Sequence, residues 1–176
     1  MALTRLGLNQ SINLTSNVTG TLPIANGGTN LSSGFINGTT AVGKILQVQN
    51  QRLTSEFNTT SGSYVDTGVT KSITPSAATS KILVIYGSGM NYTSSGTEMA
   101  MNCMRDSTQL NSVIINLDGT ASTGGSAFMI LDEPNTTSSV TYKVQIKRNN
   151  GGGNCYISVN NSLSTFTLME IGAWVH

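Results

Sequence analysis

The amino-acid sequence predicts an all-β protein: an antiparallel β-sandwich, most specifically a jelly roll, preceded by an extended N-terminal arm. Two observations carry this prediction. From residue 44 onward, short apolar or alternating segments recur at roughly the 8–12-residue spacing of β-sandwiches, between turns rich in Gly, Ser, Thr and Asn. In addition, no window of about 12 residues shows an apolar stripe of helical period with end caps. We therefore expect eight to ten strands and essentially no helix.

The strands are clearest where apolar residues alternate with polar ones or follow one another. Residues 140–147 read Val-Thr-Tyr-Lys-Val-Gln-Ile-Lys, which is typical of a half-buried antiparallel strand. Residues 80–86 contain an apolar run on both faces, as expected of a central or interface strand. The turn Asn-Asn-Gly-Gly-Gly at 149–153 is predicted to be a hairpin tip. The other predicted strands are 45–48, 63–67, 99–104, 112–117, 126–131, 154–159 and 166–175.

The first 43 residues differ from the rest, since Arg5 is their only charged residue. Short Asn-x-Ser/Thr units alternate there with single apolar residues. Such a segment is too thin to bury its own apolar side chains, so it must lie on its own domain, a sister subunit or another protein. We therefore predict an attachment arm at 1–43 and a β-sandwich knob at 44–176. The candidate contact residues of the arm are Leu14, Val18, Leu22 and Ile24.

Composition excludes several classes of protein. Charged residues make up 10% of the chain, against about 25% in an average domain. The net charge of +1 provides no basic field, so nucleic-acid binding is not expected. The apolar run at 82–86 is far shorter than the roughly 20 residues of a spanning helix, so membrane insertion is not expected either. The two cysteines, Cys103 and Cys155, are predicted to be free and buried.

The sequence offers little for catalysis, and we predict no catalytic, cofactor or metal site. The only histidine is the last residue, His176, and no closely spaced cysteines could hold zinc. A solvated His176 is expected, with an ion held by three copies at a trimer axis as the alternative. Glu170 lies inside an apolar run and needs a partner if it is buried. We predict a structural ion pair with Arg105, or a subunit contact, with an exposed position as the alternative.

Residues 17–29, Asn-Val-Thr-Gly-Thr-Leu-Pro-Ile-Ala-Asn-Gly-Gly-Thr, resemble a segment common in bacteriophage tail fibres and related virion appendages. The rest of the chain resembles a domain at the ends of marine and cyanobacterial phage structural proteins. The matching stretches are 43–49, 63–69, 72–76, 80–84, 104–108, 140–145 and 168–171. The resemblance implies a homotrimeric virion structural protein and carries no catalytic motif with it.

Two interpretations of this resemblance stay open. The first is a short trimeric fibre or fibre-like appendage, bound to tail, baseplate or capsid proteins through the arm and involved in adhesion to host-surface glycans. The second is a capsid decoration or cement protein whose arm staples capsomers while its β-domain projects. Both place the protein on the virion surface after synthesis in the host cytoplasm. A carbohydrate-active enzyme is disfavoured, because the only adjacent carboxylates, Asp132 and Glu133, should point to opposite faces of a strand.

Overall fold

A computed structural model of the chain describes residues 44–94, 96–115 and 122–172. The predicted arm, with Leu14, Val18, Leu22 and Ile24, and the terminal His176 lie outside the described residues. Within the described ranges the regular structure is ten β-strands and one short 3₁₀ turn at Val159–Asn161. The strands are β1 Ile45–Leu53, β2 Phe57–Thr59, β3 Val65–Ile73, β4 Lys81–Thr93, β5 Glu98–Arg105, β6 Thr108–Ile115, β7 Ser122–Asp132, β8 Val140–Asn150, β9 Cys155–Ile157 and β10 Ser164–Ile171.

The eight longer strands form a jelly roll, which confirms the predicted fold class. Every strand pair among the described residues is antiparallel. The chain has the topology of one long hairpin, in which β1 pairs with β10, β3 with β8, β4 with β7 and β5 with β6. This hairpin is rolled into two sheets. One contains β1-β10-β4-β7 and the other β3-β8-β5-β6. The short strands β2 and β9 extend the first sheet to six strands, because β9 pairs with the last residues of β4.

The core lies between the two sheets and follows from side-chain alternation. On β4, Ile82, Val84 and Tyr86 point inward and are fully buried. On β8, the facing residues Tyr142, Val144 and Ile146 are fully buried as well. Successive side chains of a strand point to opposite faces, so each strand contributes every second residue to the core. The residues between these buried ones point to the outer face of each sheet and are not constrained by core packing.

All nine predicted strands correspond to observed ones, although their ends differ. The strand predicted at 80–86 continues to Thr93, because the polar residues Asn91 and Thr93 are buried on the inner face. The last strand ends at Ile171, and positions 173–175 of the predicted strand lie outside the described residues. Strand β2 is not predicted from the sequence, because its three residues are too few to show an alternation.

The predicted hairpin at residues 149–153 is wrong. It joins β8 to β9, and these strands belong to different sheets, so the turn crosses the sandwich. Gly151 and Gly153 are required by packing against the turn between β4 and β5. A Cβ at Gly151 would lie 2.0 Å from the carbonyl oxygen of Gly96, and one at Gly153 would lie 2.3 Å from Cβ of Ser94. Gly151 also has a φ of +83°, which favours glycine.

Candidate interaction surface

Arg105 does not pair with Glu170 as predicted, and the structure corrects this assignment. Arg105, the last residue of β5, places Nη1 2.8 and 2.7 Å from the two carboxylate oxygens of Asp132 at the end of β7. The hydroxyl of Tyr142 donates to the same carboxylate at 2.6 Å. Burial raises the pKa of Tyr142, and its hydrogen bond to Asp132 and the charge there raise it further. The three groups satisfy one another and join both sheets at one end of the sandwich.

Glu170 is fully buried on the inner face of β10 and is held by neutral donors. Ser76 donates its backbone N–H at 2.7 Å and its hydroxyl at 2.6 Å to Oε1, and Gln47 donates its amide at 2.6 Å to Oε2. Burial opposes the charge, but the hydrogen bonds from Ser76 and Gln47 outweigh it and lower the pKa to about 2. Glu170 therefore ties β10 to β1 and to the segment after β3. This role is structural.

Cys103 and Cys155 are free and buried, as predicted. Burial raises the pKa of Cys103 to about 12, with a further contribution from the charge of Asp132. Burial also raises the pKa of Cys155 to about 11, against an opposing effect of Arg148. Thiols in this state are protonated at neutral pH and are poor nucleophiles.

A row of apolar side chains crosses the outside of the six-stranded sheet. Val48 on β1 lies opposite Met169 on β10, Met169 opposite Leu83 on β4, and Leu83 opposite Leu131 on β7. Directly opposed residues share a face, so the four side chains form one band. A second row places Ile85 opposite Met129. We call this surface the outer apolar face. Its members are Ile45, Val48, Leu83, Ile85, Met129, Leu131, Met169 and Ile171.

The outer apolar face is well exposed at its two edges. The exposed fraction is 51% for Val48, 52% for Leu131 and 69% for Met129. At its margin, Lys81 and Glu133 form an ion pair at 2.6 Å. An apolar centre with charged groups at its margin is the usual anatomy of a protein–protein interface.

The outside of the four-stranded sheet is chemically different. Asp66 accepts hydrogen bonds from Lys143 at 3.0 Å and from Gln145 at 2.6 Å. Lys147 lies 4.9 Å from the ring centre of Tyr64, whose hydroxyl bonds to Ser112. Such groups are well hydrated and typical of an ordinary protein surface. The two outer faces therefore differ in polarity, and the apolar one is the candidate interaction surface.

A polar cleft of about 410 Å³ runs along the edge where β1 and β3 meet. Gln47, Gln49, Lys71 and Ser72 are among its lining residues. The amide of Gln47 already donates to the carbonyl oxygen of Thr74 at 2.7 Å as well as to Glu170. The side-chain amide of Gln47 is thus already used in hydrogen bonds within the fold.

The described residues contain no group of three or more His, Cys, Asp or Glu side chains arranged to hold a metal ion. In the same part of the chain, no helix is long and apolar enough to cross a membrane.

No protein-family model matches the chain, and no curated protein matches it. Among solved structures it is similar to the VP2 subviral particle of infectious bursal disease virus, with 12% identity, a TM-score of 0.34, and coverage of 72% of this chain and 40% of that one. It is also similar to the structure of the Gx strain of infectious bursal disease virus, with 11% identity, a TM-score of 0.36, and coverage of 74% and 41%.

The chain thus spans about two fifths of the length of the solved chains it matches. At such low identity the likeness concerns the fold alone. The assignment as a jelly roll rests on the strand order of this chain itself.

Part of the outer apolar face is predictable from the sequence. The run at 82–86 is apolar on both faces of the strand, which predicts that both faces are covered. A strand with one face in solvent would instead alternate apolar and polar residues. The sequence does not show that Met129 and Leu131 belong to the outer apolar face. The segment 126–131 indicates a strand, but only the pairing with β4 shows that these two side chains join the same band.

Proposed function

We propose that this protein is a structural component of a bacteriophage virion, a short trimeric fibre-like appendage that contributes to adhesion to the host surface. The observation that carries the proposal is the outer apolar face. A jelly roll whose core is already filled has no internal use for this band of apolar side chains, so another surface must cover it. A second copy of the same domain is the simplest partner, because most oligomers of soluble proteins are symmetric homo-oligomers.

The proposal of three subunits and the assignment to a phage rest on the resemblance of residues 17–29 to tail-fibre segments. Residues 1–43 are proposed to bind a tail, baseplate or capsid protein and to place the knob on the virion surface after synthesis in the host cytoplasm. Burial of Leu14, Val18, Leu22 and Ile24 on a partner surface would favour attachment, and the backbone freedom lost when the arm becomes ordered would oppose it. Attachment through one arm is therefore modest, and three arms acting together make it firm through effective concentration.

The second candidate is a capsid decoration protein with the same arm and the same knob. The jelly-roll fold is compatible with this second candidate, because capsid proteins use the fold repeatedly. In this case the arm would staple neighbouring capsomers and the apolar face would still join copies of the knob. Neither candidate requires catalysis, a cofactor or nucleic acid, and we propose no enzymatic activity for the chain.

Copy number and position in the intact particle separate the two candidates. Quantitative mass spectrometry of purified virions should find a few to tens of trimers per particle for an appendage, and hundreds of chains for a decoration protein. A cryo-EM map of the same particles should place the knob on the tail or on the capsid surface. A particle that lacks this protein altogether would overturn both.

A truncated chain tests the role proposed for the arm. A virion lacking this protein is complemented with a form that begins at residue 31, and incorporation, oligomeric state and thermal unfolding are measured. We expect a folded oligomer that fails to join the particle. Normal incorporation would show that the arm is not the anchor, and unfolding or loss of the oligomer would assign residues 1–30 to the knob instead.

A further inference from the structure

The outside of the six-stranded sheet carries a second patch at its other end, built from two tyrosines. Tyr92 on β4 lies between the buried residues Asn91 and Thr93, so its side chain points away from the core. Tyr156 on β9 lies in the same way between two buried neighbours. Tyr92 and Tyr156 are directly opposite in the sheet. Their ring centres are 5.4 Å apart and the ring planes are inclined by 58°.

Two amides flank the rings. Asn154 donates from Nδ2 to the hydroxyl of Tyr156 at 2.8 Å. Asn58 on β2 lies directly opposite Tyr156 and is exposed. We call Tyr92, Tyr156, Asn58 and Asn154 the tyrosine platform. It has no charged member, and it differs from the outer apolar face because each apolar group has a polar group beside it.

We propose that the tyrosine platform binds a neutral saccharide, with one sugar ring against the tyrosine rings and its hydroxyls bonded by the amide of Asn58 and the phenol groups. A pyranose ring has faces of C–H groups and a periphery of hydroxyls. It therefore fits a site that offers aromatic faces together with neutral donors and acceptors. This inference deepens the proposed adhesion role and rests on it.

Other occupants fit the platform less well. Bases of a single-stranded nucleic acid also stack on aromatic side chains, but their phosphates require a positively charged groove, and the platform has no Lys or Arg. An apolar protein surface would cover Asn58 and leave its amide without hydrogen bonds, which is costly. A neutral polyol satisfies both the rings and the amides.

The position of the platform suits a binding site on an attached particle component. The described chain enters the sheet at Ile45, which lies opposite Ile171, and Ile171 lies opposite Lys81 at the start of β4. Tyr92 is near the end of β4, roughly 35 Å further along at about 3.3 Å per residue. A knob held from its N-terminal end would thus present the platform at the opposite end of the sheet.

The test uses the full chain on an array of neutral oligosaccharides containing glucose, galactose, mannose and N-acetylglucosamine, followed by calorimetric titration of the best binder. Tyr156→Ala should weaken binding about tenfold or more, and Tyr92→Ala should do the same. The exposed substitution Asn58→Ala, which leaves the fold untouched, should weaken it several-fold. The matched control is Tyr64→Ala, a half-buried tyrosine directly before β3 of the other sheet, which should bind as the unsubstituted protein does.

Three outcomes would overturn the inference. The first is that no saccharide on the array binds the unsubstituted chain. The second is binding that survives both Asn58→Ala and Tyr156→Ala. The third is that Tyr156→Ala changes the oligomeric state in sedimentation, which would make the platform a subunit contact. Incorporation into virions is measured in parallel, so failure of the saccharide site is distinguishable from failure of the proposed virion role.

Discussion

Replacing Met129 with lysine should dissociate the proposed oligomer without unfolding the subunit. Met129 lies on β7 within the outer apolar face and is 69% exposed in the single chain. Its cross-strand neighbour is Ile85. In the separate subunit the lysine ammonium stays hydrated, so the fold is unaffected. In an oligomer that covers this face, the same charge loses its water among apolar side chains and lacks a counter-charge.

The size of the effect follows from the exposure of Met129. Complete burial of a side chain of this kind is worth about 1.5–3 kcal/mol. Since 69% of it is still exposed, covering it contributes about 1–2 kcal/mol per subunit. Desolvating an unpaired charge costs several kcal/mol more. Together these amount to about 4 kcal/mol per subunit, which weakens association roughly a thousandfold.

Sedimentation velocity over a range of protein concentrations measures the change, with thermal unfolding as the check on the fold. The matched control is Ile114→Lys, because Ile114 is 57% exposed but belongs to β6 in the other sheet. We expect Met129→Lys to sediment as a folded monomer and Ile114→Lys to sediment as the unsubstituted oligomer. The reasoning is refuted if Met129→Lys keeps the oligomer, if both variants dissociate alike, or if the unsubstituted protein is a monomer at micromolar concentration.

Three further predictions concern stability and reactivity. Because the folded-state pKa of Glu170 is about 2 against an ordinary 4.5, its stabilising effect is complete above pH 4.5 and is lost as the pH falls through 2. Acid titration of the free energy of unfolding should show a loss of about 2–3 kcal/mol in this window, and Glu170→Gln, less stable at pH 7, should lose less there. Gly153→Ala should lower stability by about 1–3 kcal/mol in chemical denaturation, because its Cβ would collide with Ser94. Gly152→Ala, where a Cβ meets nothing within 4 Å, serves as the control, and equal effects would contradict the packing argument. Finally, a thiol reagent at pH 8 should label neither Cys103 nor Cys155 in the folded chain and both after denaturation without reductant, and denatured protein with no reactive thiol would reveal a disulfide.

The fold class was readable from the sequence because it depends on local patterns. Alternation along residues 140–147 predicts a strand with one buried face, and the structure buries Tyr142, Val144 and Ile146 and leaves the residues between them half-buried. The turn residues between strands set the number of elements. Strand ends were less predictable, since β4 continues beyond its apolar run with Asn91 and Thr93 turned inward. The buried amide of Asn91 donates to Ser126 on the neighbouring strand β7, a partner that the sequence around Asn91 does not reveal.

The partners of single residues were not readable in this way. Arg105 and Glu170 both lie in apolar strands, so an ion pair between them was a reasonable prediction. The rolled hairpin instead brings Arg105 to Asp132, and it brings Glu170 to Ser76 and Gln47. Nothing in the sequence near either residue indicates which distant segment will be its neighbour.

The sequence by itself determined that this chain is an all-β sandwich of low charge with an apolar central strand, because alternation and turn residues act over a few positions. Only the tertiary structure decided that the 149–153 turn crosses between sheets, that Met129 and Leu131 join Leu83 in one exposed band, and that Tyr92 meets Tyr156. These features depend on strand order, which is set by contacts between residues far apart in the chain, and local patterns carry no information about it.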